Sequence, residues 1–378
     1  MGYRGCPPKR RYLSFPRRSA VAHLSMGNLV SVIIPTYNRA HCLGRAVASA
    51  LDQTHDDVEA IIVDDGSSDG THDLIRNNFR ADRRVRYIHQ ENQGVAAARN
   101  TALRFAGGDF IAFLDSDDVW KPWKLELQLA CMRLLPHIGM IWSDMEALRP
   151  DGAVASRHYL RQMYAGNYRW FTNEELFSER HSAPAIAGVP GIAKAMLYAG
   201  DIFSQMVMGN LVHTSTVLLS RERFERVGGF DEALRQSGED YDFHLRTCRE
   251  GPVGFVDIET ISYQTGMSDQ LVRDSYWLAR NFLRTVTTTL ERDKDRITLP
   301  PRLVNEVLAH GHSWVAETLI PIGELREAGE HFRRSLSHKP WQPRAAVQLA
   351  LCQLPPELAE GLRRVYRLLK RFGLPRRG

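Results

Sequence analysis

The sequence predicts an α/β protein: a mostly parallel sheet flanked by helices, with an all-helical region after it. Three observations carry this. Short apolar runs at Leu29–Pro35, Val58–Val63, Val85–His89 and Phe110–Leu114 alternate with stretches of helical periodicity. The connections between them are short, which makes the strands parallel and puts helices on both faces. After residue 270 the apolar runs stop and only helical patterns remain. The expected divisions are a disordered basic tail over 1–28, an α/β domain over 29–270 and a helical region over 271–378.

The elements follow in order. Leu29–Pro35 is a buried strand ended by proline, and Thr36-Tyr37-Asn38-Arg39 turns the chain. A helix then places Leu43, Ala46, Val47, Ala50 and Leu51 on one face. Val58–Val63 runs into the acidic, glycine-bearing loop Asp64–Gly70, and a helix passes through Leu74 and Ile75. Val85–His89 is the third strand. Gly94–Phe105 is an alanine-rich helix stopped by Gly107-Gly108. Phe110–Leu114 leads straight into Asp115, Asp117 and Asp118. Lys121–Leu135 is a helix with Leu125, Leu129, Met132 and Leu135 inward, and Gly139–Met145 is a strand.

Residues 150–206 mix aromatics, glycine and proline. Within them, Ala183–Tyr198 reads either as a flap or membrane-facing loop, or, more plainly, as an irregular packed insertion. A polar knot of Asn210, His213, Thr214 and Ser215 precedes a strand ending at Ser220. Glu222–Val227 is a short helix, and Ser237–Phe243 opens another through Leu245 and Cys248. Gly254–Tyr263 is the last strand. Leu271–Glu291 is a long helix. Over 303–354, Ala316, Leu319, Ala328, Phe332 and Pro340 stand at tetratricopeptide-like spacings, which suggests one helix pair capping the main domain. Glu357–Phe372 is amphipathic with a basic face, suited either to an anionic membrane or to packing on that cap.

The overall charge of +5 is misleading. The two ends, 1–29 and 357–378, hold 13 basic and 2 acidic residues, which leaves 36 basic and 42 acidic between them. A mildly acidic body argues against nucleic-acid binding, where a basic face is expected. Basic tails suit an anionic membrane surface or solubility. The five cysteines are scattered, with no CxxC pair, as in a reducing compartment. No run of about 18 apolar residues spans a bilayer, and no apolar signal core is seen at the N-terminus. The expected location is cytoplasmic, with the inner face of the membrane as the place for any peripheral contact.

The acids after Phe110–Leu114 define the chemistry. Clustered carboxylates repel and are costly to desolvate, and Mg²⁺ or Mn²⁺ relieves both. Tyr37 and Asn38, then Asp64 and Asp65, then Asp115 to Asp118 all follow strands, so a parallel sheet gathers them on one edge. This reads as a nucleotide site without a glycine-rich phosphate loop. A metal on Asp115 and Asp117 is then the partner for the diphosphate. Downstream, Glu239, Asp240 and Asp242 carry more charge than a helix N-terminus needs, so one of them is a candidate general base.

Six stretches in order resemble the family 2 glycosyltransferases, which have the GT-A fold: Val32–Arg39, Ile62–Ser67, Gly94–Asn100, Phe113–Asp118, Val227–Asp231 and Gly238–Asp240. They cover roughly residues 28–270. The resemblance implies that Pro35, Tyr37, Asp64 and Asp65 meet the uracil and ribose of the donor, with Arg99 and Asn100 as further nucleotide contacts. It implies that Asp115 and Asp117 form the DxD motif on ribose and metal, that Asp240 is the catalytic base, and that Glu239 shapes the acceptor site. The implied reaction moves a sugar from a nucleotide-diphosphate donor, UDP-linked, to a glycan or lipid-linked acceptor in cell-surface glycan synthesis, with inversion. The alternatives are a sugar nucleotidyltransferase and a non-catalytic nucleotide-sugar-binding module. One departure stands out. The family often has a histidine soon after its last strand, where this chain reads Tyr263-Gln264-Thr265-Gly266. His213 is a replacement by chemistry alone and fits a structural histidine better.

Overall fold

In the computed structural model, the described residues are 27–354 apart from 190, 235 and 267–274. The expected N-terminal tail and the amphipathic stretch Glu357–Phe372 lie outside them, except for residues 27 and 28. The chain divides into two compact units, the first running through Leu271 and the second starting at Val272.

The first unit is built on one mixed sheet. Its strands are β1 (Val30–Thr36), β2 (Val58–Asp64), β3 (Val85–His89), β4 (Phe110–Phe113), β5 (Val119–Trp120), β6 (Met140–Leu148), β7 (Val154–Ser156), β8 (Glu179–Ser182), β9 (Met196–Gly200), β10 (Leu218–Ser220) and β11 (Val253–Gln264). The order is β3-β2-β1-β4-β10-β6-β11-β9-β8, with β5 on β11 and β7 on β6. β3, β2, β1 and β4 are parallel. β10 is reversed between β4 and β6, and β6 and β11 run parallel again. The result is a mixed sheet with helices around it: the alternating pattern predicts its four parallel strands, and the GT-A-like arrangement is what the resemblance implies.

β1 is buried along its whole length. Its proline is placed where a missing N–H does no harm. Leu114 N donates to Ile33 O (3.0 Å), so Ile33 faces β4. Pro35, two residues on, faces the same way. But the β1–β4 pairing stops at Ile33↔Phe113, while β1 stays paired to β2 through Thr36↔Asp64. The lost donor therefore falls where no acceptor waits. The two strands part there, at the point where strand order reverses, which is where open α/β sheets bind ligands.

The helices form on the expected faces. Leu43–Leu51 buries Leu43, Ala46, Val47, Ala50 and Leu51. Val95–Phe105 starts at Gly94, whose φ of +91° suits only glycine. Leu125, Leu129, Met132 and Leu135 are buried. This helix begins at Lys124 rather than Lys121, because Val119–Trp120 first pairs with β11. A two-residue strand leaves no periodicity to read. In the insertion, Ala183, Ile186, Ile192, Leu197 and Tyr198 are buried and β9 extends the sheet beside β11, so the packed reading holds and the flap does not.

An aromatic trio joins the sheet to the later helices. Phe113 meets Phe230 and Phe243 edge-on at 5.4 and 5.6 Å, and Phe230 stacks on Phe243 at 4.3 Å. Such pairs stabilise by about 0.5–1.5 kcal/mol beyond burial. They fix the Gly228–Asp231 turn and the helix Glu239–Arg249 against the end of β4.

The second unit holds helices Ser275–Arg292, Pro301–Leu319, Leu325–His338 and Pro343–Cys352. Of the repeat-like positions, Ala316, Leu319, Ala328 and Phe332 are buried in its core with Ala279, Val315 and Ala345, while Pro340 is exposed. Among the described residues no helix is long and apolar enough to cross a membrane.

This unit contains a histidine pair, with His312 Nδ1 and His331 Nδ1 3.0 Å apart. Burial, then the neighbouring His331, pushes His312 down from 6.5 to about 4, and burial lowers His331 as well. The unfolded chain therefore takes up protons first as pH falls. The stability of this unit is complete above about pH 6.5 and declines as pH drops towards 4. Thermal melts across that range should show this decline in the full chain, and His312→Gln should flatten it. An unchanged slope in the variant overturns the assignment.

Candidate active site

The crevice opens where β1 and β4 part, and each loop from the parallel edge reaches it. Pro35 is buried at the end of β1, and Tyr37 just after it is 49% exposed, leaving a ring to stack on. Asn38 sits at φ +53°. Its backbone N donates to Ser67 Oγ (2.8 Å) and its Oδ1 accepts from Ser68 N (2.8 Å). The side chain proposed for the nucleotide is thus engaged in sewing the first loop to the second.

Asp64 and Asp65 are buried and well supplied with donors. Asp64 accepts from Ser67 N (2.8 Å) and the Tyr87 hydroxyl (2.5 Å). Asp65 accepts from Gln90 Nε2 (2.7 Å), Gln93 N (3.0 Å) and Gly94 N (2.8 Å). A carboxylate has room for further donors, so both stay able to meet a base or ribose. Asn100 is different. It is fully buried, donates to Phe230 O (3.0 Å) and Glu232 Oε1 (2.9 Å), and accepts from Phe230 N (2.8 Å). Both ends of its amide hold the turn after Val227.

Arg99, its neighbour, is the centre of the site. It is buried, donates to Asp115 Oδ1 and Glu239 Oε1 at 2.8 Å each, and lies over the Phe230 ring at 5.1 Å. Burial opposes its charge, but Asp115 and Glu239 outweigh that and raise its pKa. For Asp115 burial raises the pKa, while Arg99 and His213 hold it below the ordinary value. Glu239 is buried and the adjacent Asp240 half-buried, so they resist ionising together. Burial and Asp240 push Glu239 up to about 7 against the pull of Arg99.

The acid loop departs from the expected pairing. Asp115, Asp118 and His213 bring ligand atoms within 4.8 Å of one another. Asp117 is not part of that group. The reason is a turn: Asp118 N donates to Asp115 O (3.1 Å), which folds residue 118 back towards 115. Asp117 is left beside two carboxylates, and burial followed by Asp118 and Asp115 pushes it up to about 6. Asp118 is buried, its Oδ2 lies 2.9 Å from His213 Nε2, and its Oδ1 has no partner. Two carboxylates, one of them with an unfilled buried oxygen, and an imidazole fit a divalent cation. Thr265, where the family histidine was expected, donates from N and Oγ1 to Leu148 O at 2.9 and 2.8 Å and serves the sheet. Tyr263 instead packs the edge of His213 at 5.3 Å.

Asp240 has two supports. Its Oδ1 accepts from Tyr241 N (2.7 Å) and its Oδ2 from Asn210 Nδ2 (3.2 Å). The orientation of Asn210 follows from its other end, where Oδ1 accepts from Val212 N (3.1 Å), a group that only donates. Behind it His244 Nδ1 lies 3.4 Å away. Burial, then Arg99, pushes His244 down to about 3, so it stays neutral. Burial raises Asp240 while Tyr241 N and Arg99 oppose it. Sequence reading grouped Asn210 and His213 in a polar knot but gave neither a firm task. Their spacing carries no motif, and their partners are far along the chain.

Residues 31–172 match the family model for glycosyl transferase family 2. The chain carries a family 2 glycosyltransferase domain. Among curated relatives, it is 40% identical over 127 residues to the Escherichia coli UDP-Glc:alpha-D-GlcNAc-diphosphoundecaprenol beta-1,3-glucosyltransferase WfgD, covering 33% of this chain and 49% of that protein. It is 36% identical over 155 residues to the hyaluronan synthase of Pasteurella multocida, covering 41% and 15%. The alignments span less than half the length of these relatives. The structure of S. aureus TarS 1–349 in complex with UDP shares the fold, with TM-score 0.54 and 16% identity over 88% of this chain and 83% of that one. Arg99 thus lies within the matched segment and joins its acid loop to the Glu239–Asp240 helix beyond it.

Removing that join has a measurable cost. Arg99→Met leaves Asp115 and Glu239 without their cation, and urea unfolding should show about 3–5 kcal/mol lost. Adding Glu239→Gln should restore part of it. A variant as stable as the parent refutes the bridging role.

Proposed function

We propose that this protein is an inverting glycosyltransferase that uses a UDP-linked sugar and an acceptor hydroxyl on a growing, lipid-linked cell-surface glycan. The observation that carries the reading is Arg99, which binds Asp115 and Glu239 together and so sets the acid loop and Asp240 in one crevice. UDP-sugar use and a diphosphoundecaprenol-linked acceptor are printed for WfgD, and UDP is bound in the TarS structure. A lipid-linked acceptor places the work at the cytoplasmic face of a membrane, with the basic sequence Glu357–Phe372 as its point of contact.

The chemistry is a single displacement. Asp240 accepts the proton of the acceptor hydroxyl. That oxygen bonds to the anomeric carbon as the bond to the diphosphate breaks on the opposite face, so the configuration inverts and UDP leaves. Tyr37 offers its ring to the base, and Asp64 and Asp65 offer acceptors to the base and ribose N–H and O–H groups. Asp115, Asp118 and His213 would hold a divalent cation. When bound, that cation neutralises charge on the departing diphosphate. Asn210 donates to the ionised form of Asp240 and aims it.

A sugar nucleotidyltransferase would need a basic, glycine-rich phosphate loop after β1. That place is taken by Thr36–Arg39, with Asn38 tied to Ser67 and Ser68.

Two experiments test the reading. Asp240→Asn should abolish release of UDP from UDP-sugars while leaving UDP binding intact. In the same assay Asn210→Ala removes a donor to the charged carboxylate, so the acid limb of the rate profile should move to higher pH. An unmoved limb sinks the role of Asn210, and full activity in Asp240→Asn sinks the base. In Mn²⁺ titration calorimetry with UDP, Asp118→Asn and His213→Gln should weaken metal binding more than Asp117→Asn. The reverse order restores the Asp115–Asp117 pair.

A further inference from the structure

A second cavity lies away from the crevice. Its volume is about 370 Å³, and it is lined by Gln90, Gln93, Thr101, Arg104, Phe105 and Glu232, among others. That size lies within the usual range for small-ligand pockets. It runs along the helix Val95–Phe105, where Ala97, Thr101 and Arg104 recur at intervals of four and three and so share one face, with Gln93 just before the helix start. Arg99 lies two positions from both Ala97 and Thr101, about 200° around the helix from either. Its guanidinium points into the Asp115–Glu239 site. The cavity and the crevice are therefore on opposite sides of one helix.

The lining selects a chemistry. Ala97 and Thr101 are small and leave the space. Around them stand two amides, the His89 imidazole, a guanidinium and a carboxylate, flat polar groups of which the amides, guanidinium and carboxylate pair with vicinal hydroxyls two at a time. Phe105 is 46% exposed, and an aromatic ring gives the C–H face of a sugar its apolar surface. Arg104 and Glu232 cancel in charge, so the lining offers neither a phosphate nor a cation an excess of opposite sign. A lipid tail would find too many polar groups to desolvate. We infer that this cavity is a second binding site for a neutral saccharide of one or two rings, separate from the donor and acceptor positions.

The site is wired to the first on both sides. Gln90 and Gln93 line it and also donate to Asp65. Glu232 lines it and accepts from Asn100, which holds Phe230 beneath Arg99. A sugar that steadies Gln90, Gln93 and Glu232 steadies the groups that shape the nucleotide site. The source of the sugar rests on the proposed function: a distal segment of the glycan being extended. The cavity chemistry itself does not depend on that reading.

Saturation-transfer NMR on the full chain tests it, with maltose, cellobiose and N,N′-diacetylchitobiose as probes, glucose 1-phosphate as the charged comparator, and UDP titrated separately. At least one neutral disaccharide should bind without UDP. Phe105→Ala and Arg104→Ala, both at exposed positions, should each weaken it by about fivefold or more, with UDP affinity changed less than twofold. No binding of any neutral probe overturns the inference, as does binding that survives both substitutions or that only the phosphate ester shows. If UDP binds and the disaccharides do not, the second site fails and the glycosyltransferase reading stands. If a disaccharide binds at Phe105 and UDP does not bind, the second site stands and that reading fails.

Discussion

One buried guanidinium governs the glycosyltransferase domain. Arg99 takes its charge out of water, which is costly unless partners replace the lost hydration. Two carboxylates from distant parts of the chain do so, with a phenylalanine ring on the flat face. Arg99 fails without Asp115 and Glu239, and without Arg99 the buried Glu239 and the half-buried Asp115 would both lose their guanidinium partner. This mutual need places the end of β4 beside the start of Glu239–Arg249. Asn100 acts on the same turn one residue later, so one stretch of helix secures both the charge and the backbone around it.

The site is also over-supplied with acids. Burial, with the neighbouring carboxylates adding to it, pushes Asp117 and Glu239 up to about 6 and 7. A diphosphate carries the same sign and would be repelled. The arrangement makes electrostatic sense when a cation sits among Asp115, Asp118 and His213, and Arg99 alone does not neutralise the group.

Much of this was legible in the sequence because it is local. Apolar runs gave the parallel strands, and their polar ends gave the edge where Tyr37, Asp64, Asp65 and Asp115 gather. What was hidden depends on pairing at long range or on single turns. That Asp118, and not Asp117, stands with Asp115 and His213 follows from one backbone hydrogen bond between residues 115 and 118. His213 gains its task only by meeting Asp118, 95 positions earlier. Asn38 and Asn100 looked like ligand contacts by motif, but their amides serve the loops that bear the motif. β5 is two residues long, too short for any pattern. The second cavity needs a helix face, a strand end and Glu232 together, and no spacing announces that.

The reversed strand β10 has a consequence for how the protein is made. β3, β2, β1 and β4 are complete once residue 113 has left the ribosome, yet the open side of β4 is covered only by Leu218–Ser220. At about 5–20 residues per second, the nascent sheet waits roughly 5–20 seconds with a bare apolar edge, the kind that recruits other strands. Glu239, which shares Arg99, emerges later still. The first half of this domain therefore presents that edge throughout this part of its synthesis. Truncated chains ending between residues 113 and 218 should be the forms most prone to aggregate.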